Sequence, residues 1–415
     1  MTTVDLLWIL VFLPVALMSI HLSRRIFNYW FTPLSVFLGM NSLSLVFYHL
    51  RFLPMADVSV VTHVLVLASF AMFALGVLMA VEGRPVDGAR PSYTVTETGS
   101  LERFFRITFW LATMGWMTAA AFLIAKFGFR VLLRNIWMLQ SEFQMQYIGY
   151  LNLIGILVLP TYFIKRGLGR VGKWDLVMVV ISLFGLLLAG IKGYLVYSVL
   201  AAVFAWSAVR PHRFRLFHLG LGMASLLAFF ILYSAKIDIF SGDNYAGSGI
   251  FRNFTFLFRP YYYFVGSWPA METIVDGTLG DLPRLGMVTL QPFWKLVTAL
   301  GQAEPMAPYN QFVYIGETTF NVYSFVGEVF WDLKWPGVIV LSWVLGFGST
   351  RLYARAMRLP YWGHILVYAV VGYGVFLSFF AYIYTFNVFV ILAYIFVVGF
   401  VLLRRGVLVK GTADG

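Results

Sequence analysis

The sequence of 415 residues contains no cysteine and few charged residues. Without cysteine there can be no disulfide, no thiolate nucleophile and no cysteine-ligated metal. Charged residues make up 12% of the chain and apolar residues 60%, whereas soluble domains are about 25% charged and about 45–50% apolar. Such a chain has too little polar surface for a water-soluble globule, so its composition predicts a membrane protein with many spans.

Long apolar runs recur along the chain, and a helix of about 20 residues crosses about 30 Å of hydrocarbon. We predict an all-α integral membrane protein with about 11 transmembrane helices and a large, partly helical outer loop. The predicted spans are 4–22, 29–50, 58–81, 104–125, 146–164, 174–190, 193–209, 217–234, 336–352, 361–380 and 386–403. The chain then divides into helices 1–8 (1–234), the loop (235–335), and helices 9–11 with a tail (336–415).

Basic residues are concentrated in alternate loops. Of the 30 lysines and arginines, 19 lie in the loops after spans 1, 3, 5, 7 and 9 or in the C-terminal tail. Because lysine and arginine favour the cytoplasmic side, we predict an outer N-terminus and a cytoplasmic C-terminus. This topology explains the formal charge of +12, and no nucleic-acid partner is expected.

Several functional motifs are missing. There is no GxxxxGK[ST] phosphate loop, no HExxH and no close His/Asp cluster, which argues against nucleotide-driven transport and against a metal site. None of the six histidines lies between 235 and 335. No internal repeat is visible, and this weakens the case for a secondary transporter.

The segment 235–335 differs from the other loops because it carries nine of the eighteen acidic residues. Long loops inside compact proteins tend to be functional. Helical patterns are predicted near 249–275, 286–300 and 313–333, and the stretch 126–145 is predicted to be an amphipathic surface helix.

Arg252 and Arg259 are seven residues apart, about two helical turns, so both guanidinium groups are predicted to leave one helix face. Pro260 is expected to kink or end this helix just beyond Arg259. Forked guanidinium groups suit a diphosphate, although lipid headgroups or acids of the same loop are alternative partners. Lys192, at a tight hairpin turn, is a functional candidate at membrane depth, or it snorkels to the interface.

Carboxylates are concentrated before the ninth predicted span. Asn321, Phe325, Glu328 and Asp332 follow the spacing of one helix face, and Glu317 precedes them. A carboxylate beside a membrane could act as a general base, or it could anchor the arginines.

Aromatic side chains are abundant in the same loop, and Trp268, Tyr263 and Trp331 are examples. Their flat faces suit the apolar faces of sugars. The alternative is an interfacial aromatic belt.

The stretch NVYSFVGEVFWDLKWPGVIVLSWVLGFG (321–348) resembles the signature of bacterial oligosaccharide repeat-unit polymerases, the Wzy-type O-antigen and exopolysaccharide polymerases. Lys334 stands where that family usually has glycine, and Lys192 stands where it frequently has arginine. The matching positions are Asn321, Val322, Tyr323, Gly327, Glu328, Asp332 and Gly337.

The resemblance implies an inner-membrane glycosyltransferase that acts on undecaprenyl-diphosphate-linked repeat units at the periplasmic face, without metal, nucleotide or other cofactor. The growing chain would pass to the non-reducing end of a new unit. Membrane lipids and a chain-length regulator are expected partners. The implied residues are Glu328, Asp332 and Glu317 for catalysis, Arg252, Arg259, Lys192 and Arg284 for the diphosphate, and Trp268, Tyr263 and Trp331 for sugar stacking.

Three alternatives remain. An O-antigen ligase shares the architecture, but such ligases resemble each other in a loop histidine that is missing from 235–335. Other lipid-linked-sugar glycosyltransferases usually show an acidic pair in the first outer loop, where this chain has only Asp57. A transporter of polysaccharide or lipid-linked sugar would move its substrate without forming a glycosidic bond.

Overall fold

The computed structural model describes residues 2–81, 98–130, 148–188, 192–215, 217–222, 224, 227–228, 255–280, 282, 285–301, 311–316, 319–358 and 361–403. This part of the chain is mostly helical, and its strands form one two-stranded hairpin.

The first helices are α1 (Thr3–Phe27), α2 (Pro33–His49), α3 (Val60–Val81), α4 (Thr98–Phe127), α5 (Ile148–Ile154), α6 (Val158–Gly167), α7 (Asp175–Leu188) and α8 (Lys192–Val209). They are followed by α9 (Thr255–Val265), α10 (Ser267–Val275), α11 (Gln291–Ala299), β1 (Val313–Tyr314), β2 (Thr319–Phe320), α12 (Ser324–Arg358), α13 (Trp362–Phe376) and α14 (Phe386–Tyr394). Short 3₁₀ turns join α5 to α6 (Gly155–Leu157) and follow α13 (Leu377–Phe379), and a π-helix (Ile395–Leu403) extends α14.

Each predicted span except 217–234 coincides with helix in the structure, and that span lies largely outside the described residues. Most of the predicted surface helix 126–145 also lies outside them. Among the described helices, six are long and apolar enough to cross a membrane: Thr3–Phe27, Val60–Val81, Gly99–Phe127, Ser324–Arg358, Trp362–Phe379 and Phe386–Leu403. The total of about 11 spans stays a prediction.

The polarity of α1 is inverted relative to a helix of a soluble protein. Its most exposed side chains are apolar, with Leu10 at 66% and Leu17 at 62% exposed. Its buried side chains include the polar Asp5, Ser19 and Ser23. Lipid favours this arrangement, because polar groups in hydrocarbon must find partners inside the protein. The protein is therefore membrane-embedded.

The chain folds into two compact units. The first contains 1–87, 223–351 and 374–386, and the second contains 88–222, 352–373 and 387–415. The described part of the predicted loop 235–335 thus belongs to the same unit as α1, α2 and α3.

In the first unit, α3 and α12 approach to backbone contact. A Cβ atom added to Gly76 would lie 2.3 Å from the carbonyl oxygen of Trp343, and one added to Gly346 would lie 2.2 Å from the backbone of α3. The hydroxyl groups of Ser69 and Ser342 hydrogen bond at 2.8 Å between the same helices. Small residues permit this close packing, as is usual for helices in membranes.

In the second unit, a buried ion cluster holds α4, α6 and α7 together. The ammonium group of Lys165, 2% exposed, contacts the carboxylates of Glu102 and Asp175, the latter at 2.6 Å. Glu102 also pairs with the exposed Arg106 at 2.6 Å. The ammonium group lies 4.5 Å from the ring centre of Phe105, which adds a cation–π contact.

Residues 249–254 of the predicted helix 249–275 lie outside the described residues, and the rest of it is two helices, α9 and α10, which meet at Gly266. A Cβ atom there would lie 2.7 Å from the carbonyl oxygen of Tyr262, so the junction requires glycine. The prediction that Pro260 ends or kinks the helix just beyond Arg259 is wrong about the end, because α9 continues to Val265. One proline removes a single backbone hydrogen bond, and the buried Tyr262 and Val265 keep the last turn packed.

The predicted helix 313–333 begins later than expected. Strands β1 and β2 pair antiparallel, and α12 begins at Ser324. Gly316, between the strands, has a φ of 138°, and a Cβ atom there would lie 2.6 Å from the carbonyl oxygen of Pro54. Only glycine fits this turn, so the segment folds as a hairpin. Asn321 therefore precedes α12 and does not share the predicted helix face.

Candidate active site

The first turn of α12 is fixed by Ser324. Its backbone N–H donates to the carbonyl oxygen of Phe380 at 2.9 Å, and its hydroxyl accepts from the N–H of Gly327 at 3.1 Å. These bonds stabilise a left-handed φ of 61° at Ser324. Gly327 lies against α10, because an added Cβ atom would lie 2.9 Å from Cγ of Met271. This start of the helix places Glu328, one residue further on, in the interior of the first unit.

Glu328 is 5% exposed. The backbone N–H groups of Tyr323 and Tyr382 donate to its carboxyl group. No lysine, arginine or histidine whose side chain the structure describes pairs with it. The alternative in which Glu328 anchors an arginine therefore finds no partner in that part of the chain. Within that part of the chain the carboxyl group of Glu328 meets neutral donors, and its role as a general base stays a prediction.

Asp332, one turn after Glu328 on the same helix, has a different environment. One of its oxygens accepts from the N–H of Met287 at 3.0 Å. The other accepts from the N–H of Val288 at 3.3 Å and from the N–H and hydroxyl of Thr289 at 2.8 and 2.6 Å. Both oxygens are thus engaged with the turn that precedes α11. These contacts anchor the turn to α12, and the catalytic role of Asp332 stays a prediction.

Tyr323 and Tyr382 flank Glu328. Tyr382 donates its hydroxyl to the carbonyl oxygen of Thr289 at 3.2 Å and stacks on Phe325 at 5.9 Å between ring centres. Burial, together with the charge of Glu328, raises the pKa of both tyrosines well above the ordinary value. Both hydroxyls therefore stay protonated and act as donors. The signals for them in the sequence are the Asn-Val-Tyr motif and the aromatic linker before α14.

Two of the three predicted sugar-stacking residues are core residues. Trp268 is fully buried, and its indole N–H donates to the hydroxyl of Ser44 at 2.8 Å. Trp331 is 2% exposed and donates to the carbonyl oxygen of Gly280 at 2.7 Å. Neither indole has an open face for a sugar, so the prediction for these two residues is wrong in this conformation. Tyr263 is only half-buried, and its sugar-stacking role stays a prediction.

The predicted cations fall mostly outside the described residues. Arg252 and Arg284 lie outside them, as does the predicted catalytic residue Glu317. For Lys192 and Arg259 the backbone is described, at the start of α8 and within α9, but the side chains are not. Their roles stay predictions.

Lys295 of α11 is a cation that the sequence analysis did not single out. Its ammonium group lies 5.1 Å from the ring centre of Phe386, and burial lowers its pKa. The amide oxygen of Gln291, also in α11, accepts from the N–H of Phe386 at 3.1 Å. The helix is thus tied to the start of α14 as well as to Asp332.

The outer face of α11 is apolar. Phe293 and Leu296 are more than half exposed, as are Leu290 and Leu300 at its two ends. A short helix with one apolar exposed face and one anchored polar face suits the membrane surface. The amphipathic spacing of 286–300 is the sequence signal for this element.

Lys334 interrupts α12. Its backbone has φ 55° and ψ −154°, a conformation outside the helical region. Residues 324–333 before it carry Glu328 and Asp332, and residues 335–358 after it form the apolar part of the helix.

Comparison with protein-family models, with curated proteins and with solved structures finds no match.

Proposed function

We propose that the chain is an inner-membrane glycosyltransferase that joins undecaprenyl-diphosphate-linked repeat units into an O-antigen or exopolysaccharide at the periplasmic face. The proposal is supported by the resemblance of residues 321–348 to Wzy-type polymerases. It is also supported by the buried carboxyl group of Glu328 within that stretch.

The observation that carries the proposal is the backbone of Lys334. Its φ of 55° and ψ of −154° border a region that is occupied almost only by glycine. Wzy-type polymerases usually have glycine at this position. The segment therefore keeps a glycine-type turn, although the residue is lysine. This turn separates the helical turns that carry Glu328 from the apolar part of α12.

The proposed reaction forms one glycosidic bond and breaks one. Glu328 takes the proton of the sugar hydroxyl at the non-reducing end of the incoming unit. The oxygen then attacks the anomeric carbon of the growing chain, and the bond from that carbon to the lipid diphosphate breaks. The diphosphate leaves with the bonding electron pair, and the proton passes from Glu328 to the diphosphate or to water.

The leaving diphosphate requires positive charge near the headgroup level of the membrane. We assign this role to Arg252, Arg259, Lys192 and Arg284, with Lys295 as an additional cation on α11. The apolar face of α11 would rest in the membrane surface, so its polar side would meet the headgroup region from which a lipid-linked substrate approaches. Tyr263 is retained as the sugar-stacking residue.

The proposal includes an outer N-terminus and a cytoplasmic C-terminus, supported by the distribution of basic residues. It also includes independence from metal and nucleotide, since cationic side chains would replace the charge of a divalent ion.

The direct test is polymer formation by the purified protein in lipid vesicles, with an undecaprenyl-diphosphate-linked oligosaccharide as sole substrate and EDTA present. We expect a ladder of products that differ by one repeat unit. Movement of substrate across the vesicle membrane without a ladder would contradict the proposal and indicate a transporter. A ladder that appears only after addition of Mg²⁺ or Mn²⁺ would contradict metal independence alone.

A further inference from the structure

A buried chain of polar groups joins α1, α2 and α3, outside the proposed active site. A carboxylate oxygen of Asp5 lies 3.0 Å from Nδ1 of His49, the last residue of α2. Nε2 of His49 lies 2.9 Å from Nε2 of His63 in α3. Nδ1 of His63 lies 2.7 Å from the carbonyl oxygen of Ser59. No His/Asp cluster is visible in the sequence, because His49 lies 14 positions from His63 and 44 positions from Asp5.

The three contacts require three protons. A carbonyl oxygen only accepts, so Nδ1 of His63 must carry a proton. Two bare ring nitrogens 2.9 Å apart would repel each other, so one proton must lie between the two Nε2 atoms. The contact between Asp5 and His49 also needs a proton on one side. Ionised aspartate and two neutral imidazoles supply only two protons, so this chain holds one proton in excess.

The neighbours of Asp5 place that proton on the imidazoles. One carboxylate oxygen accepts from the backbone N–H and the hydroxyl of Thr2, both at 2.8 Å. The other carboxylate oxygen accepts a hydrogen bond from Nε of Arg51 at 3.0 Å, and it also contacts Nδ1 of His49. Donors on both oxygens stabilise the ionised carboxylate. The excess proton therefore gives the histidine pair one positive charge.

The surroundings of the pair fit that charge. The charged and titratable groups that face it or its direct partners are Asp5, Arg51, Asp57, Glu272 and Tyr48. With the pair neutral, two acids, Asp5 and Glu272, would face the single cation Arg51, and the third acid, Asp57, is 92% exposed to solvent. The indole of Trp8 also stacks on the His63 ring at 3.9 Å and 8°, a geometry that favours a cationic ring.

We infer that His49 and His63 form a buried proton-binding site that holds one excess proton between their Nε2 atoms at neutral pH. The site goes beyond the proposed glycosyl transfer and does not depend on it. The shared proton links the end of α2 to the first turn of α3. The negative charge that balances it comes from Asp5 of α1.

The test is ¹⁵N NMR of the full-length protein in lipid nanodiscs, with labelled histidine and with His21, His212, His218 and His364 replaced by glutamine. At pH 8 an ordinary histidine, with a pKa of about 6.5, is only about 3% protonated. The pair should nevertheless show one unprotonated nitrogen among its four ring nitrogens, shared between the two Nε2 positions. The spectrum should be the same after EDTA treatment.

Two fully unprotonated nitrogens at pH 8 would show a neutral pair and overturn the inference, as would a change of the pair's signals on EDTA treatment. In the same background, Asp5→Asn removes the counter-charge and should raise the number of unprotonated ring nitrogens in the pair from one to two. An unchanged count in folded Asp5→Asn would also contradict the inference. If that variant does not fold, the spectrum of the parent decides.

Discussion

Lys334 occupies a backbone conformation that residues with a Cβ atom rarely adopt. Strain of this kind costs about 1–3 kcal/mol, and a new glycine costs about 0.5–1 kcal/mol in chain entropy. We therefore expect Lys334→Gly to stabilise the protein by about 1 kcal/mol. The measurement is the thermal unfolding midpoint in detergent. Lys334→Ala is the matched control, because it removes the charge but keeps the strain. A lower midpoint for Lys334→Gly than for Lys334→Ala would contradict the account.

Glu328 and Asp332 show what a motif can and cannot predict about single residues. Their spacing correctly placed both on one helix face, because helical periodicity is local. Their roles differ because Asp332 meets the backbone of 287–289, more than 40 residues away in sequence. Among the groups that the structure describes, Glu328 meets neutral backbone donors. The sequence contains no signal for either partner.

The turn before α11 depends on Asp332. A hydrogen bond to a charged group contributes about 1.5–3 kcal/mol, so Asp332→Ala should release the amides of Met287, Val288 and Thr289. We expect roughly tenfold or faster hydrogen exchange at these amides. Asp276→Ala is the control, since this exposed carboxylate accepts a hydrogen bond from the N–H of Thr278 at 2.9 Å, outside the turn 287–289. Unchanged exchange at 287–289 in Asp332→Ala would contradict the anchoring role.

Substitutions in the ion cluster around Lys165 test how α4, α6 and α7 are held together. Lys165→Met leaves the buried carboxylate of Asp175 without its cation, whereas Glu102 is 35% exposed and keeps Arg106. We expect a loss of about 3–5 kcal/mol. Adding Asp175→Asn should recover most of that loss, because no uncompensated buried charge remains. Arg106→Met is the matched control, since Arg106 pairs with the same Glu102 but is exposed, and should cost less than about 1 kcal/mol. Equal losses for Lys165→Met and Arg106→Met in thermal unfolding would contradict this view of the cluster.

The long helices were predictable because apolar runs of about 20 residues have few other stable states in lipid. The secondary structure of the predicted loop 235–335 was less predictable. The helix expected from residue 313 gives way to a hairpin because Gly316 packs against the carbonyl of Pro54, a contact distant in sequence. Trp268 was predicted to stack on a sugar, yet its indole N–H donates a hydrogen bond to the hydroxyl of Ser44 inside the first unit.

The orientation of the whole chain is testable because it contains no cysteine. Thr278→Cys should react with a membrane-impermeant maleimide in intact spheroplasts, since residue 278 is exposed and assigned to the outer side. Arg170→Cys, also exposed, should react only after the membrane is permeabilised. The reverse pattern would contradict the orientation and, with it, a periplasmic active site.

The central claim is that the activity of the whole molecule depends on Glu328 as the base that activates the acceptor hydroxyl. The most direct measurement is single-turnover extension of a lipid-diphosphate-linked glycan by Glu328→Gln, with binding of the lipid-linked substrate measured separately. Glutamine keeps the shape but cannot accept the proton, and a general base contributes roughly 10²–10⁴-fold. The account predicts a loss of turnover in that range with binding retained, and turnover close to that of the parent protein would contradict it.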